Sequence, residues 1–487
     1  MRIIHLAAEF APLAKAGGLG EVLVGLSREL TRSAHFVDVI IPKYNFIKHR
    51  DIKPEVADFK CLDHRNAMWS ARVEECQVHL LEAHHPTRYF DRGKIYGESD
   101  DIARFIYFSR AALEYLKLRK EPIDVLHLHD WHVSLCAPLV KNLFKELNVK
   151  KIVLSIHNVE YQGKCASSDL DGIGMKGYDS LRDETGHINL LKGGIVYSDA
   201  IVPVSPSYAK EILTAPYGFH LDSTLRTHRS KITGILNGID TKIWDPSQDP
   251  HLAACYEIES ALQAKNGNRA KFPLALNKRP WVGTVSRLVP QKGPELLEEA
   301  LKKTIDLGGC FLLLGSSPMP HLQDHFNRLK EKYQGHPQVF LSYEYNESMA
   351  HQIYAALDLL IVPSHFEPCG LTQMIGMRYG TVPIVRATGG LKDTVFDCDD
   401  FKVPAGRRNG FTFPEITSAS MYGALERAFQ LFRSEPAAFQ SLIRRGMQAD
   451  FSWKKPAQEY LKLYRTATAQ HPCGQELHQR CEGHVRT

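Results

Sequence analysis

Cations, glycines and one carboxylate recur in four short stretches, and each combination suits a phosphorylated ligand. Near the N-terminus the chain reads LAKAGGLGEV, with Lys15 just before Gly17 and Gly18. A glycine turn feeding a helix offers unpaired N–H groups and a partial positive charge, and Lys15 adds a full one. The stretch is not a dinucleotide fingerprint, because Leu23 stands at the third glycine position counted from Gly18, and it lacks the G-K-[ST] of a P-loop. Taken alone it is equally a tight turn that binds nothing. GTVSRLVPQKG sets Arg287 and Lys292 on one loop, a fork and a point charge suited to a diphosphate; in isolation they would also serve as solvated surface cations. VPSHFEPCGLTQ puts Glu367 directly after an apolar run, with Pro368 in the first turn of a helix that opens Cys369–Gly370–Leu371–Thr372. That helix end could take a ribose or a phosphate, and RATGGLKDTV repeats the design at Thr388–Gly389–Gly390. One such turn is weak evidence; three of them with three loop cations converge on a nucleoside diphosphate compound.

The histidines are more ambiguous. HLHDWH (127–132) invites a metal reading, a polar cleft wall, or simple helix capping by Asp130. His127 and His129 share a strand face, Trp131 is no ligand, and no matching Cys/His set stands elsewhere at metal spacing, so no metal is expected. SIHNVEYQG places His157 and Asn158 at another strand end, where a lone histidine is structural or catalytic. The Asp-x-Asp of Asp397–Asp400 follows a helix rather than a strand and reads as a solvated loop.

These stretches need strands to carry them. Nearly continuous Val/Ile/Leu runs mark strands buried on both faces of parallel sheets: Arg2–Ala8, Val37–Pro42, Val78–Ala83, Asp124–His129, Lys151–His157, Ala200–Ser205 and Lys231–Leu236, with helices such as Leu23–Arg32 and Asp101–Arg119 between them. A second series follows: Pro280–Ser286, Cys310–Gly315, Val339–Tyr343, Asp358–Ser364, Val382–Ala387 and Gly410–Phe413. Two successive βα series imply an α/β chain of two doubly wound, Rossmann-like domains facing a cleft. Turn residues cluster at Asn237–Pro250, so the expected division is 1–243 and 244–455, then a helix at 456–470 and a polar tail at 471–487 without periodicity. Ligands of such sheets bind beyond the carboxyl ends of the strands, which is where the chemistry-bearing stretches fall.

At 487 residues, with 44% apolar and 24% charged residues, the composition is that of a globular protein of more than one domain. A net charge of +5 with no dense Lys/Arg run gives no footprint for nucleic acid. No apolar run approaches the roughly 18 residues of a membrane helix, and no signal-peptide pattern opens the chain. The ten cysteines contain no C-x-x-C pair, which fits thiols in a reducing compartment and a cytoplasmic enzyme.

Taken together, KAGGLGEV, HLHDWH, HNVEYQG, ILNGID, VSRLVPQKG, PSHFEPCGLTQ and YGTVPIVRATGGLKDTV resemble the bacterial glycogen synthases and plant starch synthases, in family order across residues 1–400. The resemblance implies retaining glucosyltransferases with the two-Rossmann (GT-B) fold, taking ADP-glucose as donor and an α-1,4-glucan as acceptor. It implies no cofactor, and a C-terminal helix that crosses back to the N-terminal lobe. It places Lys15, Gly17, Gly18, Arg287, Lys292 and the Thr388–Gly390 turn at the donor diphosphate. Glu367, with the backbone from Cys369 to Leu371, would hold the donor sugar; Tyr345 would stack on the base; His157 would lie beside the anomeric carbon. Glu9, Tyr96, Asp130, Trp131 and Asn158 would line the glucan groove. Four positions depart from the family pattern: Ala16, Glu21 for Asp, His365 for Arg, and Ile375 where related retaining enzymes carry a second Glu. A retaining glycosidase pairs carboxyls about 5–5.5 Å apart. Without the second carboxylate, attack is expected on the face the diphosphate leaves, with no metal.

Overall fold

The computed structural model describes residues 1–175, 179–275, 279–344 and 346–466. Two sheets dominate. The first runs β10–β7–β6–β1–β2–β5–β4–β3, built from β1 (Arg2–Leu6), β2 (Phe36–Pro42), β3 (Lys53–Cys61), β4 (His64–Val73), β5 (Cys76–Ala83), β6 (Val125–His129), β7 (Lys151–Ile156) and β10 (Ala200–Pro203). Its strands are parallel except along β5–β4–β3, which pair antiparallel. A short ribbon of β8 (Lys164–Cys165) and β9 (Ile188–Asn189) lies outside it. The second sheet is parallel throughout, in the order β13–β12–β11–β14–β15–β16, with β11 (Trp281–Val285), β12 (Cys310–Leu314), β13 (Val339–Ser342), β14 (Leu359–Val362), β15 (Val382–Arg386) and β16 (Phe411–Phe413). These strands are short and buried on both faces because helices cover them, hence their unbroken apolar sequences.

Two differences from the sequence reading have physical causes. The hairpin β3–β4 has no apolar run: β3 is an exposed edge strand carrying Lys53, Pro54 and Glu55, residues that discourage further pairing. Lys231–Leu236 is not a strand but an extended segment that touches the sheet edge through Ile201 and Pro203. Gly234 there lies so close to Ser205 and Pro206 that a Cβ would meet their backbone at 2.5 and 2.7 Å.

The last described helix, Lys454–Arg465, lies on the first sheet, its Trp453, Ala457, Tyr460 and Leu461 packed among Ile3, Val22, Leu26 and Val153. The tail at 471–487 lies outside the described residues, as does 467–470. No helix of the described residues is long and apolar enough to cross a membrane.

Candidate active site

β1 delivers Glu9 to the sheet's carboxyl edge, and the backbone then doubles back through Ala14 into the helix Gly18–Arg32. Glu9 is buried and fully engaged. One oxygen accepts the N–H groups of Ala16 (2.7 Å) and Gly17 (3.0 Å), and the other accepts the hydroxyl of Tyr96 (2.8 Å). The N–H groups of this first glycine turn thus hold a carboxylate of the protein itself. Lys15 pairs with Glu21 at 2.5 Å, so the longer acid at that position reaches the cation.

Asp130 follows β6 directly, and its φ of 62° and ψ of −175° belong to a region that glycine normally occupies, at a cost of about 1–3 kcal/mol. Its carboxylate accepts the backbone N–H of His157 at 2.7 Å and, more weakly, that of Asn158 at 3.4 Å, tying the ends of β6 and β7 together. Burial pushes this carboxyl up to about 7, against the pull of those two N–H groups. Trp131 is largely buried beneath Gly163, edge-on to Phe105, so most of its ring packs inside the lobe. His157 is half-buried, and burial lowers its pKa to about 3, leaving a neutral imidazole at the strand end.

On the second lobe, Gly293 takes φ of 65° where a Cβ would meet the Pro363 carbonyl at 2.4 Å, and this contact seats the 287–293 loop on the 363–367 segment. Lys292 there reaches Glu367 at 2.5 Å, and Ser364 donates to the same carboxylate oxygen at 2.9 Å. Arg287 is exposed and makes no ion pair among the described residues; its charge acts on Tyr161 across the cleft. Gly370 has φ of 72°, and the thiol of Cys369, which burial raises to about 12, stays protonated. Among the described residues, no protein acceptor meets the N–H groups of the part-exposed Gly370, Leu371 and Thr372, at the start of the short helix Thr372–Arg378. Leu371 faces the first glycine turn: a Cβ on Gly18 would come within 3.3 Å of its Cδ1.

The third turn differs. Gly389 N–H donates to Glu211 at 2.9 Å, the Thr388 hydroxyl donates to the same carboxylate, and Gly390 N–H donates to the Glu367 carbonyl at 3.0 Å. A Cβ on Gly389 or Gly390 would strike the carbonyls of Glu367 or Cys369 at 1.9 and 2.1 Å. These glycines let a helix start pack directly behind the Glu367–Cys369 backbone.

Tyr345 lies outside the described residues. In the Asp-x-Asp segment, Asp399 and Asp400 are exposed as expected, but Asp397 is partly buried and engaged: it accepts the Thr412 N–H at 2.6 Å and pairs with Arg427. His5, His127 and His129 bring their ring nitrogens within 4.8 Å of one another. Five of the six nitrogens already meet His129, His5, His157, Tyr464 or Ser155, and a metal ion would have to displace those bonds.

Residues 2–227 match the family model described as the starch synthase catalytic domain, and residues 267–427 match group 1 glycosyl transferases. A glycogen synthase of Protochlamydia amoebophila is 44% identical over 500 residues, covering 96% of this chain and 100% of that one. The chain belongs to the glycogen/starch synthase family. It is a glucosyltransferase of the GT-B fold. A probable starch synthase 4 of Arabidopsis thaliana is 43% identical, covering 95% of this chain and 46% of its own. The solved catalytic domain of Arabidopsis starch synthase IV, bound to ADP and acarbose, superposes with a TM-score of 0.91 at 43% identity, covering 95% of this chain and 98% of that one. A sucrose-phosphate synthase of Thermosynechococcus elongatus, 20% identical with a TM-score of 0.61 and covering 96% of this chain and 98% of that one, shares the fold.

Three residues that join the synthase's lobes were not singled out in the sequence: Gln291, which sits unremarked inside VSRLVPQKG, and Ser205 and Glu211, which lie in none of the quoted motifs. Gln291 accepts from Asn158 of the first lobe at 3.5 Å and donates to the Phe366 carbonyl. Ser205 donates to the Pro368 carbonyl at 2.6 Å, and Glu211 holds the third turn. The Ser-Pro helix start at 205–206 was the available signal for that segment, but a cap signature does not say what its neighbours touch.

Proposed function

We propose that the chain transfers glucose from ADP-glucose to the non-reducing 4-hydroxyl of an α-1,4-glucan with retention, in a cleft between lobes 1–243 and 244–455. The observation that carries this reading is the loop at 370–372. Its N–H groups meet no acceptor among the described residues, its Leu371 side chain faces Gly18 of the first glycine turn, and it follows closely on Glu367, which Lys292 holds. A diphosphate fits between two helix starts and the cations Lys15, Arg287 and Lys292, and Glu367 can accept from sugar hydroxyls while Lys292 holds it. That the Arabidopsis catalytic domain carries ADP and acarbose supports the same donor and acceptor classes here.

Departure of the diphosphate leaves positive character on the sugar and negative charge on phosphate. Preorganised cations and N–H groups stabilise that charge without reorganising, each typically by a few kcal/mol. Ile375 is buried where a second carboxylate would stand, and the Cys369 thiol is protonated, so neither supplies a nucleophile. The acceptor hydroxyl then attacks from the side of the leaving group and passes its proton to phosphate. Neutral His157 lies beside the reacting carbon, with Glu9, Tyr96, Asp130, Trp131 and Asn158 shaping the glucan side. Glu9 must release Ala16 and Gly17 before phosphate can use their N–H groups, which couples donor entry to Tyr96. The Thr388–Gly390 turn acts from behind, holding the Glu367 loop against its helix start.

Replacing Lys292 by Ala removes the charge nearest Glu367. Turnover at saturating ADP-glucose should fall by about two to three orders of magnitude, with the circular-dichroism spectrum unchanged. Unchanged turnover would remove Lys292 from the mechanism.

A further inference from the structure

We propose that His129 and His5 are positioning residues that decide which ring nitrogen of His157 carries its proton, so that His157 meets the substrate with an N–H at Nδ1. The inference rests on the placement of His157 given above and concerns the layers behind it.

Three imidazoles run in line from the cleft into the first lobe. His157 Nε2 lies 3.1 Å from His129 Nδ1, and His129 Nε2 lies 3.0 Å from His5 Nδ1. Sheet topology sets this line, because β1, β6 and β7 are adjacent, with His5 in β1, His129 ending β6 and His157 just after β7. Burial holds all three rings neutral, with His5 and His157 lowered to about 3 and His129 well below its ordinary value. A neutral imidazole has one donor and one acceptor, so a choice made at one end of the line propagates to the other.

The choice is made at His5. Its Nε2 is buried with no partner. Were His5 to accept at Nδ1, Nε2 would carry an N–H with no acceptor, and orphaned buried donors are rarer than unmet acceptors. His5 therefore donates from Nδ1 to His129 Nε2. His129 must then hold its own proton on Nδ1 and donate it to His157 Nε2. That leaves His157 with Nδ1–H as its group for the cleft. His127 stacks alongside but is off this line: its nitrogens meet the Tyr464 and Ser155 hydroxyls, each at 2.7 Å, which ties the C-terminal helix to β6. The opposite tautomer would offer the substrate a lone pair in place of a donor, and a histidine held in the wrong tautomer can lose orders of magnitude in rate.

Nitrogen-15 correlation spectra of the full chain, with histidine labelled and His157 assigned by its loss in His157→Ala, read this directly. The expected result is a proton on Nδ1 of both His157 and His129. A proton on Nε2 of His157 overturns the proposal without any variant having to fold. His129→Phe should move the His157 proton to Nε2 and lower kcat by roughly 10–100-fold, with KM for donor and glucan within about twofold. His129→Asn, which keeps a donor near the Nδ1 position, should restore the tautomer and much of kcat. His127→Phe should lower the melting temperature yet leave the His157 tautomer in place. A His129→Phe protein with lower Tm but the native tautomer and kcat would make the line merely structural. Rings lacking N–H signals until EDTA is added would mean a bound metal and would also overturn it. If the native tautomer is as stated but His157→Ala keeps full turnover, the line stands and the placement of His157 fails.

Discussion

Asp130 concentrates two penalties in one residue, a glycine-like backbone and a carboxyl buried at the cleft. Residues held this way persist where the surroundings over-determine them, and functional sites are where such residues gather. A carboxyl raised from about 4 to about 7 has a stability contribution that is complete below its unfolded pKa and is lost as pH rises through 7. Asp130→Asn keeps an oxygen for the His157 and Asn158 N–H groups and cannot ionise. Urea unfolding should show the variant gaining on the parent from pH 5 to pH 8; a difference independent of pH would mean the carboxyl is not held up. At this scale the sequence told which residues carry charge and where glycine recurs. It did not tell that two of the three glycine turns hold the protein's own carboxylates: Glu211 comes from a remote part of the chain, and Glu9, though only a few residues before its turn, reaches it because the backbone doubles back between them.

At the scale of elements, the helix start at Thr388 shows why similar motifs differ in role. Its glycines permit close backbone packing on Glu367 and Cys369, whereas the 370–372 loop leaves its N–H groups open. Gly389→Ala would place a methyl 1.9 Å from the Glu367 carbonyl at a φ of 45°. It should displace the Glu367 loop, proposed above to hold the donor sugar, and lower kcat/KM on the order of a hundredfold, with both sheets intact; near-normal kcat/KM would show that the loop does not depend on this contact. The parallel strands were legible because burial on both faces demands unbroken apolar runs. The β3–β4 hairpin was not, since β3 is an exposed edge strand and β4, though largely buried, intersperses polar residues such as Asn66, Ser70 and Arg72, so cross-strand pairing holds them without an unbroken apolar run. Lys231–Leu236 misled for the converse reason: it is apolar enough for a strand, but Gly234 is there to pass close to Ser205.

The whole molecule is held as one by contacts remote in sequence. Ser205 and Phe219 of the first lobe hold the 366–368 segment, Ser207 holds Asp393 in the helix behind it, and the C-terminal helix returns to the first sheet. Five histidines of that lobe, four buried and His157 half-buried, tie its acid stability to the same region: desolvation lowers His5, His132 and His157 to about 3, and His127 and His129 well below the usual value. The unfolded chain takes up these protons below about 6.5 and the folded one does not, so stability falls as pH drops from about 6.5 toward 3, by up to about 1.4 kcal/mol per histidine per pH unit. His79, where burial lowers the pKa but Asp38 and Glu55 raise it by more, contributes in the other direction. Denaturation midpoints measured from pH 7.5 to 4.5 should fall steeply; a flat profile would contradict neutral burial of these rings. The transfer reaction itself is tested most directly by incorporation of labelled glucose into glycogen from ADP-glucose and, in parallel, UDP-glucose, with EDTA present and the anomeric configuration of the product read by NMR. Rapid, EDTA-insensitive α-1,4 transfer from ADP-glucose is the expected result. Transfer from UDP-glucose alone would contradict ADP-glucose as the donor, and no transfer from either would contradict glucosyl transfer by this cleft.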